Sequence, residues 1–288
     1  NYMKKFVLVC GLKKEKLIML KEYKYDFDPM YEIKRLEYWI REYFAINGPD
    51  ACAVVGISGG KDSTIAASIL ARALGKDRVV GVMMPQGEQY DIEAAQEVCR
   101  LYCGRVIELN IGNICDSFFK TFDTSLLEKN IGVTSNTPPR IRMAMLYAVA
   151  AAINGRVCNT SNLSEKSVGW STKWGDGCGD FAPLARLTVT ELVAIGHALK
   201  IPDHLNLKVP EDGLTGKSDE ENLGVSYGMI DRHIRQDQVS VIPAKDLATI
   251  IRREEMSMHK WCTNIPEFYP MPYIDENNNR HHYKKGSD

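Results

Sequence analysis

Apolar residues return along this chain in two rhythms. Ile33, Leu36, Ile40 and Tyr43/Phe44 recur at helical spacing. That predicts an amphipathic helix, capped by Asp28 and opened by Pro29 in its first turn. Residues 51–57 (ACAVVGI) are a continuous apolar run of strand length. A Gly-rich turn follows, and residues 62–74 resume the helical rhythm, with Ile65, Ile69 and Ala73 on one face and Gly75 placed as a C-cap. Residues 78–84 (RVVGVMM) predict the next strand. Strand, turn, helix, strand is a βαβ unit, and that unit implies a parallel sheet.

The alternation continues with a helix over 88–103, a strand over 105–109, a helix over 111–128, an Ala-rich helix over 142–154 and a strand over 156–160. Residues 161–183 hold four Gly and few large apolar side chains, the composition of a long functional loop. Helices are predicted over 188–200, 226–236 and 244–260. From Tyr273 the chain turns polar (DENNNRHHYKKGSD), the pattern of a frayed tail. No linker divides the middle of the chain. The expected architecture is α/β: a doubly wound, Rossmann-like parallel sheet flanked by helices. It comprises an N-terminal arm (1–28), one domain (29–270) and a polar tail (271–288).

Composition narrows the function classes. The 288 residues hold 36 Lys+Arg against 37 Asp+Glu, a formal charge of −1. A generic nucleic-acid binder carries a basic excess, so no nucleic acid is expected as a partner. Apolar residues make up 44%, enough for a substantial core. The longest apolar run, 143–153, has 11 residues. A membrane span needs roughly 18, so none is expected. Met3-Lys4-Lys5 before the short run 6–12 imitates a signal peptide only faintly, with no small-residue cleavage site before Lys13-Lys14. It reads as a strand or arm. Eight Cys lie scattered without any C-x-x-C pair, which favours reduced thiols in a cytoplasmic protein. Cys99 and Cys103 share a helix face, but two ligands alone make a poor metal site.

The sharpest motif is Gly56-Ile57-Ser58-Gly59-Gly60-Lys61-Asp62-Ser63, at the end of the first core strand and the start of a helix. Ligands of open α/β sheets bind at that edge. Adjacent glycines let the backbone approach closely, N–H groups converge, and the helix N-terminus adds partial positive charge. Ser58 and Ser63 add hydroxyl donors. These features suit a pyrophosphate. Asp62 would repel phosphate unless a Mg²⁺ stood between them. The Walker A spacing fails, because Lys61 stands where it requires Gly. The segment also matches the G-x-S-x-G nucleophile elbow of hydrolases. That fold needs several strands upstream, and an oxyanion segment of the H-G-G type is lacking. A glycine turn that merely joins strand to helix is the remaining alternative.

Ser58-Gly59-Gly60-Lys61-Asp62-Ser63 after an apolar strand resembles the signature of the ATP pyrophosphatases, which cleave ATP between its α and β phosphates and adenylate a substrate. Three further segments narrow the resemblance: residues 159–184, including Asn159-Thr160-Ser161-Asn162-Leu163-Ser164-Glu165 and Trp170-Ser171-Thr172-Lys173-Trp174-Gly175-Asp176; residues 215–231 (TGKSDEENLGVSYGMID); and residues 140–147 (RIRMAMLY). With His259-Lys260, these are similar to NAD synthetases over about residues 30–262. The resemblance implies an adenine nucleotide alpha-hydrolase-like fold. It also implies ATP-dependent amidation of deamido-NAD through an acyl-adenylate, with release of AMP and pyrophosphate.

The same resemblance implies the roles. Gly56, Ile57, Ser58, Gly59, Gly60, Lys61, Asp62, Ser63 and Thr160 would hold ATP. Asp62 and Glu165 would bind Mg²⁺. Arg140, Lys173, Asp180, His259 and Lys260 would contact deamido-NAD. Asp219 and Glu220 would shape the site and its covering loop. Asp62 and Lys173 are the candidates for a catalytic role beyond binding. Read singly, each residue has a blander meaning. Glu165 is a solvated loop carboxylate, Trp170 and Trp174 cover an apolar patch, and His259 and Lys260 suit a helix C-terminus.

Two positions depart from the pattern. Val189 stands where the family carries Lys, and Glu211 where it carries Ser or Thr, both near ATP; Lys61 or Arg186 are the candidates to compensate. Pro138-Pro139 replaces a Lys-Ala pair. Only 55 residues precede Gly56, too few for a nitrilase-type glutaminase domain, so free ammonia is the expected nitrogen donor. The family is typically homodimeric, and the helices at 29–44 and 142–154 are candidate interfaces. Another ATP pyrophosphatase ligase with a different acceptor, or a degenerate nucleotide-binding homologue, are the alternative readings.

Overall fold

Asp28 and Pro29 do start a helix. The computed structural model describes residues 27–89, 91–122, 131–209, 218–235, 242–261, 273–274 and 280–281. In it α1 spans Pro29–Asn47, and Asp28 Oδ1 accepts the N–H groups of Met30 and Tyr31 at 2.9 and 3.1 Å. The expected βαβ alternation follows as β1 (Cys52–Gly56), α2 (Lys61–Leu74), β2 (Val79–Met83), α3 (Ile92–Tyr102) and β3 (Arg105–Glu108). Next come α4 (Gly112–Phe119), α5 (Ile131–Ala152) and β4 (Gly155–Cys158). The remaining helices are α6 (Leu163–Ser167), α7 (Val189–Ala198), α8 (Asp203–Asn206), α9 (Asp219–Leu223), α10 (Tyr227–Arg235) and α11 (Ala244–Trp261).

The four strands make one parallel sheet in the order β3-β2-β1-β4, with Val54 opposite Val80, Val82 opposite Ile107 and Val55 opposite Cys158. Strand alternation sorts the apolar residues between two cores. Ala53, Val55, Val79 and Met83 join Ile33, Phe44, Ile65, Ile69 and Leu192 on the face covered by α1, α2 and α7. Val54, Val80, Val82 and Val157 join Ile111, Cys115 and Ala150 on the face covered by α4 and α5. A third cluster, around Leu223, Tyr227, Ile230 and Ile250, binds α9, α10 and α11 together. From β1 the chain winds to β2 and β3 on one side and reaches β4 on the other. The order therefore reverses between β1 and β4, and their carboxyl ends open a crevice there.

The structure corrects several boundaries. The helix expected over 142–154 begins at Ile131 and runs through Pro138-Pro139. Its first turns are held by side chains: Asn136 Nδ2 donates to Gly132 O and Thr137 Oγ1 to Val133 O, both at 2.8 Å. The segment 161–183 is not all loop. Asn162 accepts from Glu165 N, and Glu165 accepts from Asn162 N, a capping box that starts the single turn of α6. The expected frayed tail contains β5 (Tyr273–Ile274) and β6 (Arg280–His281), an antiparallel pair. The helix expected over 111–128 stops at Phe119, and residues 120–122 turn away; residues 123–128, the N-terminal arm before Phe27, Cys10 and Cys262 lie outside the described residues. The six described cysteines are free thiols. Among the described residues no helix is long and apolar enough to cross a membrane.

Gly59 is the residue that most constrains the turn after β1. Its φ is +78°, and a Cβ there would lie 2.7 Å from the backbone nitrogen of Ala95 in α3. Both facts require glycine. Gly59→Ala is therefore expected to cost at least about 1–2 kcal/mol from the left-handed backbone alone, read as a lowered urea midpoint; unchanged stability would contradict the close approach. Phe44 is 1% exposed and sits edge-on to Tyr43 and Phe181, at 5.4 and 5.3 Å between centroids. Phe44→Ala is expected to cost about 3–5 kcal/mol in the same melts.

Candidate active site

Every element of the site grows from the β1/β4 crevice. The turn 57–60 leaves β1 and delivers Gly60 as N-cap of α2 without any side-chain cap. The first amides of that helix are thus free of a side-chain cap at the positive end of its dipole. Ser58 and Ser63 brace the turn: their hydroxyls are 3.3 Å apart, Gly60 N donates to Ser58 Oγ at 3.2 Å, and Ser63 Oγ donates to Gly60 O at 3.0 Å. Lys61 is buried, and its Nζ lies 2.6 Å from Asp62 Oδ1. The loop's side-chain cation is therefore neutralised by its neighbour.

The opposite bank comes from β4. Val55 pairs with Cys158 at the end of β4, and Thr160 follows two residues further on. Asn159 is buried and organises the return of the chain: its Nδ2 donates to Asp176 O and Cys178 O at 2.8 and 2.9 Å, and its Oδ1 accepts from Ser161 N. Glu165 follows on α6. Burial, and then the Asp62 carboxylate, push the Glu165 carboxyl well above the usual carboxylate range, while Lys61 acts the other way. Asp62 and Glu165, expected to work together, are thus brought within electrostatic reach of each other.

A hydrogen-bonded chain forms the outer part of the site. Arg140 Nε donates to Lys173 O at 3.3 Å, and Lys173 Nζ donates to His259 O at 2.7 Å. Lys173 also lies 5.5 Å from the centre of the Trp174 ring, a cation–π distance. Lys260 Nζ donates to Gly169 O and Ser171 O, both at 2.7 Å. The three segments singled out in sequence, near 140, 170 and 259, therefore meet. Asp176 ties this chain to the first cluster, since its charge acts on both Glu165 and Lys260. Asp180 serves the framework: its carboxylate accepts from Val157 N at 2.7 Å and from Tyr147 Oη at 3.3 Å.

Several members of the site carried no role in the sequence reading. Tyr227 Oη bonds Asp219 Oδ2 at 3.2 Å. Burial and the charges of Glu165, Asp219 and Asp62 push its phenol far above the ordinary value. Asp231 accepts from Ser164 Oγ, Thr190 N and Thr190 Oγ1, locking α10 against the starts of α6 and α7. Burial holds its carboxyl above the usual range. Tyr227 and Asp231 lie in the SDEENLGVSYGMID segment, but nothing in that pattern says which members turn inward. Arg186 lines a groove beside α1 with Glu32, Arg35 and Trp39. Of the two residues considered as compensating cations, only Lys61 lines the loop. Val189 heads α7 and donates its N–H to Ser164 Oγ at 2.9 Å. Glu211 lies outside the described residues.

Comparison with known proteins agrees with this geometry. The family model described as NAD synthase matches residues 32–263. The NH(3)-dependent NAD(+) synthetase of Pyrococcus horikoshii is 38% identical over 248 residues, covering 82% of this chain and 92% of that relative. Among solved structures, the NMN synthetase from Francisella tularensis superposes with a TM-score of 0.76 at 28% identity, covering 85% of this chain and 100% of that one. The NAD+ synthetase from Burkholderia pseudomallei gives a TM-score of 0.67 at 26% identity, covering 83% and 92%. The loop 56–63, the capped turn that carries Glu165 and the Arg140–Lys173–His259 chain thus sit on the matched region, and the chain belongs to the NAD synthase family.

Proposed function

We propose that this protein amidates deamido-NAD to NAD, using ATP and free ammonia. The observation that carries the proposal is the convergence, on one crevice, of a phosphate-type loop with a second, cationic cluster about Arg140, Lys173 and Lys260. One cluster suits a triphosphate and the other a dinucleotide. The nicotinate carboxylate attacks the α-phosphorus of ATP, the bond to the β-phosphate breaks, and pyrophosphate leaves. Ammonia then attacks the acyl carbon, loses a proton, and displaces AMP.

Little covalent chemistry falls to the protein, so positioning and charge neutralisation dominate. The amides from Gly59 to Ser63, with Ser58 and Ser63, hold the phosphates, and Thr160 contacts ATP from the facing strand. Arg140, Lys173, Asp180, His259 and Lys260 hold deamido-NAD. A Mg²⁺ fits the donor set of Asp62 and Glu165. Both offer hard oxygen donors, and burial first, then the Asp62 charge, hold the Glu165 carboxyl above its usual range. Among the described residues no cluster of three His, Cys, Asp or Glu is placed to hold a metal; Mg²⁺ typically takes one or two carboxylates and completes its shell with phosphates and water. When bound it would neutralise phosphate charge. Residues 29–270 act as one catalytic domain in the cytoplasm, as a homodimer. The exposed Tyr31, Tyr38 and Trp39 along α1 support a contact between copies.

The test is a product assay with MgATP, deamido-NAD and ammonium. NAD formed one-to-one with AMP and pyrophosphate is expected. ATP binding without NAD would overturn the proposal in favour of a degenerate homologue. The likeness to an NMN synthetase makes nicotinic acid mononucleotide the acceptor to run alongside; preference for it would reassign the substrate. In the same assay Asp62→Asn and Glu165→Gln are each expected to lower kcat/KM about a hundredfold, and Arg140→Ala to raise KM for deamido-NAD about tenfold. Light scattering should give twice the chain mass, and Trp39→Glu should lower it; a monomeric wild type would exclude the dimer.

A further inference from the structure

A cavity of about 270 Å³ opens beside the first turn of α2. Lys61, Val189, Lys208, Ser218, Glu220 and Tyr227 line it. Lys61 belongs to the loop proposed above to hold phosphate, so the cavity borders that loop. Two lysines line its wall. The Lys61 ammonium rests on Asp62. The Lys208 ammonium rests on Asp91 Oδ2. Asp91 stands at the start of α3, whose Ala94 and Ala95 abut Gly59. Lys208 is thereby tied to the helix that packs against Gly59.

We propose that Lys208 is a phosphate-binding residue: it takes the terminal phosphates of ATP, and then the departing pyrophosphate. The inference rests on the function proposed above. Charge makes the case. A triphosphate brings up to four negative charges, and the loop answers mainly with backbone dipoles, because Lys61 is neutralised by Asp62. Glu220 adds a carboxylate to the cavity wall, but its Oε1 is occupied by Tyr227 N at 2.7 Å. Val189 leaves the head of α7 apolar on that wall. Lys208 is likewise paired, with Asp91, but its side chain is 29% exposed against 4% for Lys61, so a phosphate can reach its ammonium. An ammonium has three donors, and Asp91 and a phosphate can share them. Asp91 anchors it in the cavity, a tie that a phosphate can replace. Burial would raise its pKa, but hydrogen bonds from Lys208 and Gln89 keep its carboxyl below the usual range.

The geometry also permits a purely structural role, in which Lys208 only ties its segment to α3 through Asp91. Variants separate the two. Lys208→Met is expected to raise KM for MgATP about tenfold, the size of one lost charge-assisted hydrogen bond. KM for deamido-NAD should stay within twofold. Calorimetric Kd values for MgATP and for inorganic pyrophosphate should weaken by a similar factor. Asp91→Asn removes the tie but keeps the ammonium, and should leave both affinities within twofold. Adding Val189→Lys to Lys208→Met, a cation on the same cavity wall, should recover at least threefold of the lost affinity. Unchanged ATP and pyrophosphate affinities in Lys208→Met would overturn the proposal, as would an equal loss in Asp91→Asn. Thermal melts confirm that each variant is folded, and Lys208→Gln repeats the measurement should Lys208→Met fail that check. The binding measurements need no amidation, so wild type that binds pyrophosphate but makes no NAD would sink the proposed function while still deciding the role of Lys208.

Discussion

The reversal of strand order between β1 and β4 is the constraint on which the rest of the site depends. In a parallel sheet all strands end on the same edge, and crossovers leave that edge to opposite sides only where the order reverses. Here the Val55–Cys158 pair is the last between β1 and β4, and both banks leave the sheet just beyond it. The loop of α2 and the capped turn of α6 then face one crevice without any long-range search. Phe181 locks the arrangement from below, bridging to Cys158 and stacking on Tyr43 at 4.8 Å. The return from the site is thereby packed on α1 and the main core.

Within that frame the polar groups divide into those that hold the fold and those that stay available. Glu191 is buried, yet it caps Thr188 N at 2.9 Å and takes a bidentate hydrogen bond from Arg235 at 2.6 and 2.7 Å. Asp231 performs the same service for α6 and α7. These carboxylates are satisfied and rigid, as buried charges must be. Asp62 and Glu165 also have partners, Lys61 and the amide of Asn162, but their surroundings differ. They crowd together with Tyr227 and Asp219 around a single buried lysine, an arrangement that a cation and a polyphosphate would relieve together. Strain of this kind marks a binding site more than a structural one.

Most of the architecture was legible from the chain alone. Strand order aside, each strand of the parallel sheet lay within two residues of its apolar run. The helices with strong period and clear caps, α1, α2 and α7, began within a residue of expectation. The misses share a cause: side chains overrode backbone propensity. Asn136 and Thr137 carry α5 across a turn that Pro138-Pro139 would otherwise discourage. The capping box at Asn162 and Glu165 made a turn of helix inside an apparent loop; its N-x-x-E spacing was present in the sequence and was outweighed by the surrounding glycines.

For the site, the sequence by itself determined the chemistry of the loop 56–63, because glycine at φ +78° and a bare helix N-terminus are local properties of consecutive residues. It also determined which distant segments belong together, through their shared order. Only the tertiary structure decided how they divide the work. Asp180 turned into the framework, and Lys260 became a clamp on two carbonyls. Tyr227 closed over the carboxylates, and Lys208, an unremarked lysine in sequence, came to lie beside the phosphate loop. The physical reason is range. Backbone conformation and capping act over a few residues, whereas charge and desolvation act across whatever surfaces the packing brings within several ångströms.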